Sequence, residues 1–163
     1  MNEIYINLLT EFAAEVGLEP VELFLQTQQV VIDDIAVDVR LSGADVGDDP
    51  PDEDGEEAAP PDVVLCAALG SPSPDRLPEL ALELLAANHL WAGTGGCVLG
   101  LHPEDLRITI AYRAPLDRLD AQGLAYTVDN FVGVAAFWRD YIEARPTSSV
   151  AASYSLEAPG MPV

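Results

Sequence analysis

The stretch at residues 75–91, DRLPELALELLAANHLW, constrains the fold most because it predicts a helix that is apolar on nearly every side. Asp75 is placed to accept N–H groups of the first turn, Pro78 is tolerated in that turn, and Gly93 predicts the end. A helix without a polar back must be covered on two sides. One side of the helix can pack against the sheet of its own domain. The other side needs a further layer of the fold or a second subunit.

The first part of the chain predicts one helix followed by two strands. Residues 2–16 carry an apolar stripe at helical spacing that stops at Gly17. Residues 23–32 interleave apolar side chains with glutamines, and residues 35–41 alternate strictly. We therefore expect two antiparallel strands joined by a turn at Asp33-Asp34.

The second part predicts three more strands and a last helix. The apolar run at residues 63–69 is typical of a central strand buried on both faces. Residues 97–101 and 106–112 predict a hairpin, which Pro115 ends. Residues 120–145 are helical in pattern, with Phe137 and Tyr141 widening the apolar face. That face consists of Leu124, Val128, Phe131, Val132, Ala135, Trp138 and Ile142.

The expected fold class is therefore α+β: an antiparallel five-stranded twisted sheet with three helices, in the order α-β-β-β-α-β-β-α. One domain is expected over residues 1–145. Residues 43–62 hold nine of the 28 acidic residues and no base, which predicts a flexible insertion. A plain solvated loop is the simplest interpretation, and a lure for a basic partner or a mimic of one are alternatives. Residues 146–163 predict a disordered tail.

Composition narrows the class of partner. The seven basic residues are all arginine and the net charge is −21, so a nucleic-acid backbone would be repelled. Cys66 and Cys97 are the two cysteines, each beside or inside an apolar run, which favours reduced thiols and a cytoplasmic location. No signal-peptide pattern and no apolar run of about 18 residues is present, so no membrane span is expected.

No chemistry of catalysis or cofactor binding emerges from the motifs. The Gly-Thr-Gly-Gly string at residues 93–96 follows a helix instead of preceding one, which favours a plain turn over a phosphate site. The two cysteines, His89 and His102 match no zinc-ligand spacing. No Gly-x-Ser-x-Gly string is present. We expect no cofactor, no metal and no enzymatic activity; a small enzyme with a dispersed site is an alternative.

An ordered set of short strings resembles the class I type III secretion chaperone family, which includes the Tir chaperone. The strings are LLAAN at 84–88, VLGL at 98–101, ITIAYR at 108–113, PLD at 115–117 followed by Leu119-Asp120, and then Phe131, Ala135 and Trp138. The resemblance spans roughly residues 2–41 and 63–145. The long acidic insertion and the extra tail depart from the family pattern.

The resemblance implies a homodimer that holds the N-terminal chaperone-binding segment of a secreted effector soluble and partly unfolded, without catalysis. The doubly apolar helix at 75–91 suits a dimer seam, for which Leu80, Leu84, Ala87, Asn88 and Trp91 are the expected contacts. Effector binding would use apolar grooves between the first helix and the sheet, together with strand addition at a sheet edge. The expected contacts there are Ile4, Leu8, Phe12, Leu23, Leu25, Val37 and Val39. A binding or regulatory module of the same fold without a secreted client is the alternative.

Overall fold

The structure is a computed structural model that describes residues 2–42 and 61–144. The predicted tail and the predicted acidic insertion, apart from Pro61 and Asp62, lie outside the described residues. The elements in chain order are α1 (Glu3–Val16), α2 (Val21–Thr27), β1 (Gln29–Ile32), β2 (Ile35–Leu41), β3 (Asp62–Gly70), α3 (Leu77–Asn88), β4 (Val98–Leu101), β5 (Ile108–Pro115) and α4 (Ala121–Glu143). Single 3-10 turns follow α3 and β5, at His89–Trp91 and Leu116–Arg118.

The five strands form one antiparallel sheet in the order β1-β2-β3-β5-β4, which confirms the predicted α+β class. Helices α1 and α4 contact each other, and α4 packs on β2 and β3. The covered face is apolar: Val37, Ala67, Ile110 and Leu99 form a buried row across four strands. None of the helices in the described ranges is long and apolar enough to cross a membrane.

Strand β3 is buried on one face only, so the expectation of two buried faces is wrong. Val63, Leu65, Ala67 and Leu69 point into the core, whereas the intervening residues are half-buried or exposed. The run reads as continuously apolar because its outward positions are small or aliphatic. Within the described residues, no helix covers that second face.

Helix α1 begins and ends where its sequence predicts. The Asn2 side chain accepts hydrogen bonds from the N–H groups of Ile4 and Tyr5, and Gly17 closes the helix in the left-handed region at φ 72°. The Tyr5 hydroxyl donates to the Val39 carbonyl at 2.7 Å, which fixes α1 against β2. The predicted turn at Asp33-Asp34 is also confirmed, with both residues at positive φ.

Helix α2 corrects the strand predicted over residues 23–32. Val21–Thr27 is helical, and only from Gln29 is the chain extended. Phe24 is the one buried residue of α2, and its ring lies 5.7 Å from that of Phe12. A seven-residue helix with one anchoring side chain is too short to show a helical period, so apolar-polar alternation mimicked a strand. The fold therefore has four helices instead of three.

Helix α3 is shorter than the predicted helix at 75–91. It starts at Leu77 behind Arg76, without the expected side-chain cap from Asp75, and it ends at Asn88. Leu90 and Trp91 follow in the left-handed region, at φ 52° and 54°.

The Arg76 guanidinium is turned towards the end of α4. It donates to the main-chain carbonyls of Tyr141, Ile142 and Ala144 there. These carbonyls belong to the last turn of α4, where no further turn supplies donors. Arg76 thus closes α4 at its C-terminus.

Helix α4 confirms the longest apolar pattern of the sequence. Asp120 caps it by accepting a hydrogen bond from the Gly123 N–H at 2.7 Å, and all seven predicted core residues are buried. The extension of that face to Phe137 and Tyr141 is wrong, because both side chains are exposed, Phe137 by 61%. They stack on the outer side of the helix.

Candidate protein-binding surfaces

The first candidate surface is the outer edge of β1. Within the described residues, β1 pairs only with β2. The Val39 N–H donates to the Gln28 carbonyl, so residues 28, 30 and 32 use their main-chain groups toward β2. Alternation then directs the N–H and C=O groups of Gln29 and Val31 outward. The Thr27 hydroxyl accepts from the Gln29 N–H at 3.4 Å, while the main-chain groups of Val31 have no partner among the residues that the structure describes.

Exposed apolar side chains accompany this edge. Val31 is 63% exposed, on the sheet face that no described helix covers. Ile4 on α1 and Leu23 on α2 are exposed as well, and α1 contacts α2, which runs directly into β1. An unpaired edge that carries an exposed aliphatic side chain, here Val31, is a template for an added strand.

The seven side chains expected to contact an effector divide into two groups. Ile4 and Leu23 are exposed and Leu25 is half-buried, so these three stay predictions. The other four lie in the core of the single chain and present no surface to a partner while the fold is intact. These are Leu8, Phe12, Val37 and Val39.

The opposite edge of the sheet, at β4, is capped at Leu99 by a side chain. Asn88 at the end of α3 donates through Nδ2 to the Leu99 carbonyl and accepts from the Leu99 N–H through Oδ1, both at 2.9 Å. Its amide therefore makes the pair of bonds that a neighbouring strand would make. Asn88 was expected at a dimer seam; in the single chain it has this internal role.

The outer face of α3 is the second candidate surface. Leu82 is 70% exposed, Leu85 is exposed three residues later, and both Leu90 and Trp91 project from the turn that follows. We call these four residues the α3 outer face. Large apolar groups exposed on a helix and on the turn that follows it are typical of subunit contacts.

The residues expected at the seam lie mostly behind this face. Leu80 is fully buried and Leu84 is 7% exposed, so both belong to the core of the single chain. Ala87 and Asn88 are half-buried, and Trp91 alone is exposed among the five. The exposed side of α3 is therefore rotated by about half a turn from the residues expected at the seam, and a seam on this helix stays a prediction.

Burial is the main cause of the resolved pKa shifts at Tyr5 and the two cysteines. Burial raises the pKa of Tyr5 to about 12, and burial also raises the pKa of both Cys66 and Cys97, which keeps these thiols protonated. His102 lies 3.0 Å from the exposed carboxylate of Asp105. Among residues 2–42 and 61–144, no group of three or more His, Cys, Asp or Glu could hold a metal ion.

Comparison with known proteins identifies the family of the chain. The model of the Tir chaperone protein (CesT) family matches residues 56–139, which is half of the chain. The chain belongs to this family. The resemblance predicted from the short strings is therefore confirmed. No curated protein matches the sequence.

Solved structures extend the likeness over most of the fold. A chain of the ExsC–ExsE complex is 18% identical with a TM-score of 0.59, over 91% of this chain and 100% of that one. A chain of the HopA1–SchA chaperone–effector complex is 18% identical with a TM-score of 0.52, over 85% of this chain and 92% of that one. A chain of the complex between the Yersinia pestis type III secretion chaperone SycH and a stable fragment of YscM2 is 18% identical with a TM-score of 0.50. The match covers 82% of this chain and 98% of that one. At this identity the likeness shows a shared fold.

Proposed function

We propose that this member of the Tir chaperone family is a cytoplasmic type III secretion chaperone, which binds the N-terminal chaperone-binding segment of a secreted effector. The observation that carries the proposal is the open β1 edge with exposed Val31, in a fold shared with a chain of a chaperone–effector complex. Binding would keep the client segment soluble and partly unfolded. The proposal assigns no reaction to the chain.

Strand addition explains how an unfolded segment can be held. A client strand beside β1 gains main-chain hydrogen bonds from the outward groups of Val31 and Gln29, whatever its sequence. Its apolar side chains meet Val31, Ile4 and Leu23. The net charge of −21 attracts basic segments and accelerates their association.

The same proposal includes a homodimer built through the α3 outer face. Two copies related by a twofold axis would bring Leu82 and Leu85 of each α3 against the other, with Leu90 and Trp91 at the margin. The contact covers the apolar surface that the single chain leaves in water. The β1 edge lies at the far side of the sheet from α3 and β4, so a dimer of this kind leaves it open.

The experiment that tests client binding removes one hydrogen-bond donor from the edge. Val31→Pro deletes an N–H that the fold does not use, since proline is tolerated where an edge N–H faces solvent. Proteins that co-purify with the wild-type chain from its own organism are identified by mass spectrometry, and affinity for the recovered secreted client is measured by calorimetry. We expect about a tenfold loss or more, because one bond is lost and the ring obstructs its neighbours.

Two matched variants control this measurement. Val31→Ala keeps the N–H and shortens the side chain, so it should weaken binding less than proline does. Val30→Pro deletes an N–H that faces β2 and should unfold the edge strand, seen as a lower urea midpoint. Unchanged client affinity in a folded Val31→Pro protein would show that the client does not add to β1.

A further inference from the structure

A cavity of about 360 Å³ opens between the first half of α4, strand β5 and the glycine turn before β4. It lies well away from β1, on the other half of the sheet. Its walls are contributed mainly by Gly95, Cys97, Tyr112, Tyr126, Asn130 and Val134. We call it the anchor cavity.

The glycine turn shapes one wall. Gly95 and Gly96 have φ of 58° and 95°, which a residue with a side chain adopts with difficulty. A Cβ atom would lie 3.6 Å from the Val134 side chain at Gly95 and 3.5 Å from the Tyr112 ring at Gly96. The Gly-Thr-Gly-Gly string is thus the predicted turn, and it also brings bare backbone alongside the cavity.

The lining suits an uncharged, largely apolar occupant. No residue that lines the cavity carries a charge, and Phe131 and Cys97 supply buried apolar surface. Burial raises the pKa of the Cys97 thiol, so the thiol stays protonated and adds an uncharged surface to the cavity wall. Tyr126, 71% exposed, stands at the rim with Asn130, whose Nδ2 donates to the Tyr126 carbonyl and leaves Oδ1 as an acceptor.

Size and charge identify the kind of occupant. A volume of 360 Å³ lies at the small end of ligand sites and suits one bulky side chain better than a whole cofactor. Asp129, next to the lining residue Asn130 in sequence, is exposed, and the whole chain carries a net charge of −21, so a basic segment is favoured. The one base of α4, Arg139, is engaged with Asp140 and with the Asp33 carbonyl.

We propose that the anchor cavity takes one aromatic or branched aliphatic side chain from a basic segment of the bound polypeptide. The proposal rests on the proposed function and adds a second contact to it, separate from the β1 edge. Tyr112 on β5 lies three strands from β1, or about 14 Å at the usual strand spacing. An added strand lies one spacing beyond β1, about 19 Å from Tyr112, so a client that uses both sites needs at least about six extended residues between that strand and its anchor.

The test uses two short arginine-containing peptides that differ in one central residue, tryptophan or alanine, each with a fluorescent label. Fluorescence anisotropy with the full wild-type chain should show about tenfold tighter binding of the tryptophan peptide. Asn130→Trp places an indole at the mouth of the cavity and should abolish the preference. Gln122→Trp, exposed on the same helix but outside the cavity, should preserve it.

A second variant guards against misfolding of the first. Tyr126→Ala removes the exposed rim and should reduce the preference for tryptophan severalfold, with an unchanged urea midpoint. Equal affinity of the wild type for both peptides would overturn the anchor site, as would a preference that survives Asn130→Trp. If Asn130→Trp alters the oligomeric state in light scattering while the wild type ignores the tryptophan, a second copy occupies the cavity and the proposal fails.

The outcomes separate this inference from the proposed function. A secreted client that depends on Val31 but binds Asn130→Trp as well as the wild type would overturn the anchor alone. The absence of any secreted client, with the tryptophan preference intact, would overturn the chaperone proposal and leave a peptide-binding cavity.

Discussion

Replacing Asn88 by alanine tests whether one side-chain amide closes the β4 edge. The variant removes the donor for the Leu99 carbonyl and the acceptor for the Leu99 N–H, two bonds of 2.9 Å each. A typical net contribution is about 1 kcal/mol per hydrogen bond, which gives about 2 kcal/mol for the pair. Water can reach part of this edge because Val98 and Leu101 beside it are exposed, so the larger penalty for fully buried orphan groups does not apply.

Urea unfolding followed by circular dichroism measures the loss, at one fixed protein concentration because dimerisation would stabilise the fold by mass action. A drop of about 2 kcal/mol corresponds to about 6 °C in Tm for a domain of this size. Asn88→Asp should cost at least as much as alanine, because its carboxylate still accepts from the Leu99 N–H but faces the Leu99 carbonyl oxygen.

Asn130→Ala is the matched control for stability. Its amide is exposed and donates only to the Tyr126 carbonyl of the same helix, so its removal should change the free energy of unfolding by less than about 0.5 kcal/mol. If Asn88→Ala costs no more than this control, then Asn88 does not close the edge and the β4 side remains open to an added strand.

Two further predictions concern the α3 outer face and Tyr5. Leu82→Asp should convert a dimer to a folded monomer in light scattering, whereas Leu84→Asp should unfold the chain because Leu84 lies in the core; a dimer that survives Leu82→Asp would place the seam elsewhere. The pKa of Tyr5, about 12, exceeds its unfolded value near 10, so its contribution to stability is present below pH 10 and is lost as the pH rises through 12. Urea midpoints across this range should fall less steeply for Tyr5→Phe, and parallel pH profiles would contradict the assignment.

Long patterns in the sequence predicted most of the fold. The core face of α4 runs from Leu124 to Ile142 within a helix of 23 residues, so no single side chain decides it. Helix α1 has the same advantage, together with capping residues at both ends. Helix α2 has no long apolar pattern and no side-chain cap. Only Phe24 packs in the core, through a contact with Phe12 that no local sequence pattern reveals.

The candidate surfaces were harder to predict than the core. Leu80, Leu82, Leu84 and Leu85 are chemically alike, and only the position of α3 against β4 shows which of them face inward. Val31 is absent from the residues expected from the sequence because strand order, not composition, makes β1 an edge. Once β1 is known to be terminal, the alternation of main-chain hydrogen bonds along residues 28–31 shows that Gln29 and Val31 direct their N–H and C=O groups outward.

Helix α3 is held to α4 at both ends. Arg76 binds the last carbonyls of α4 beside the first turn of α3, and the Trp138 indole donates to the Gly93 carbonyl, 3.1 Å away, just beyond the other end. A helix fixed at two points loses little motion when a second subunit covers it, and ordering entropy is one of the main costs of association. The outer face of α3 can therefore sustain a dimer over a smaller buried area than a free helix would need.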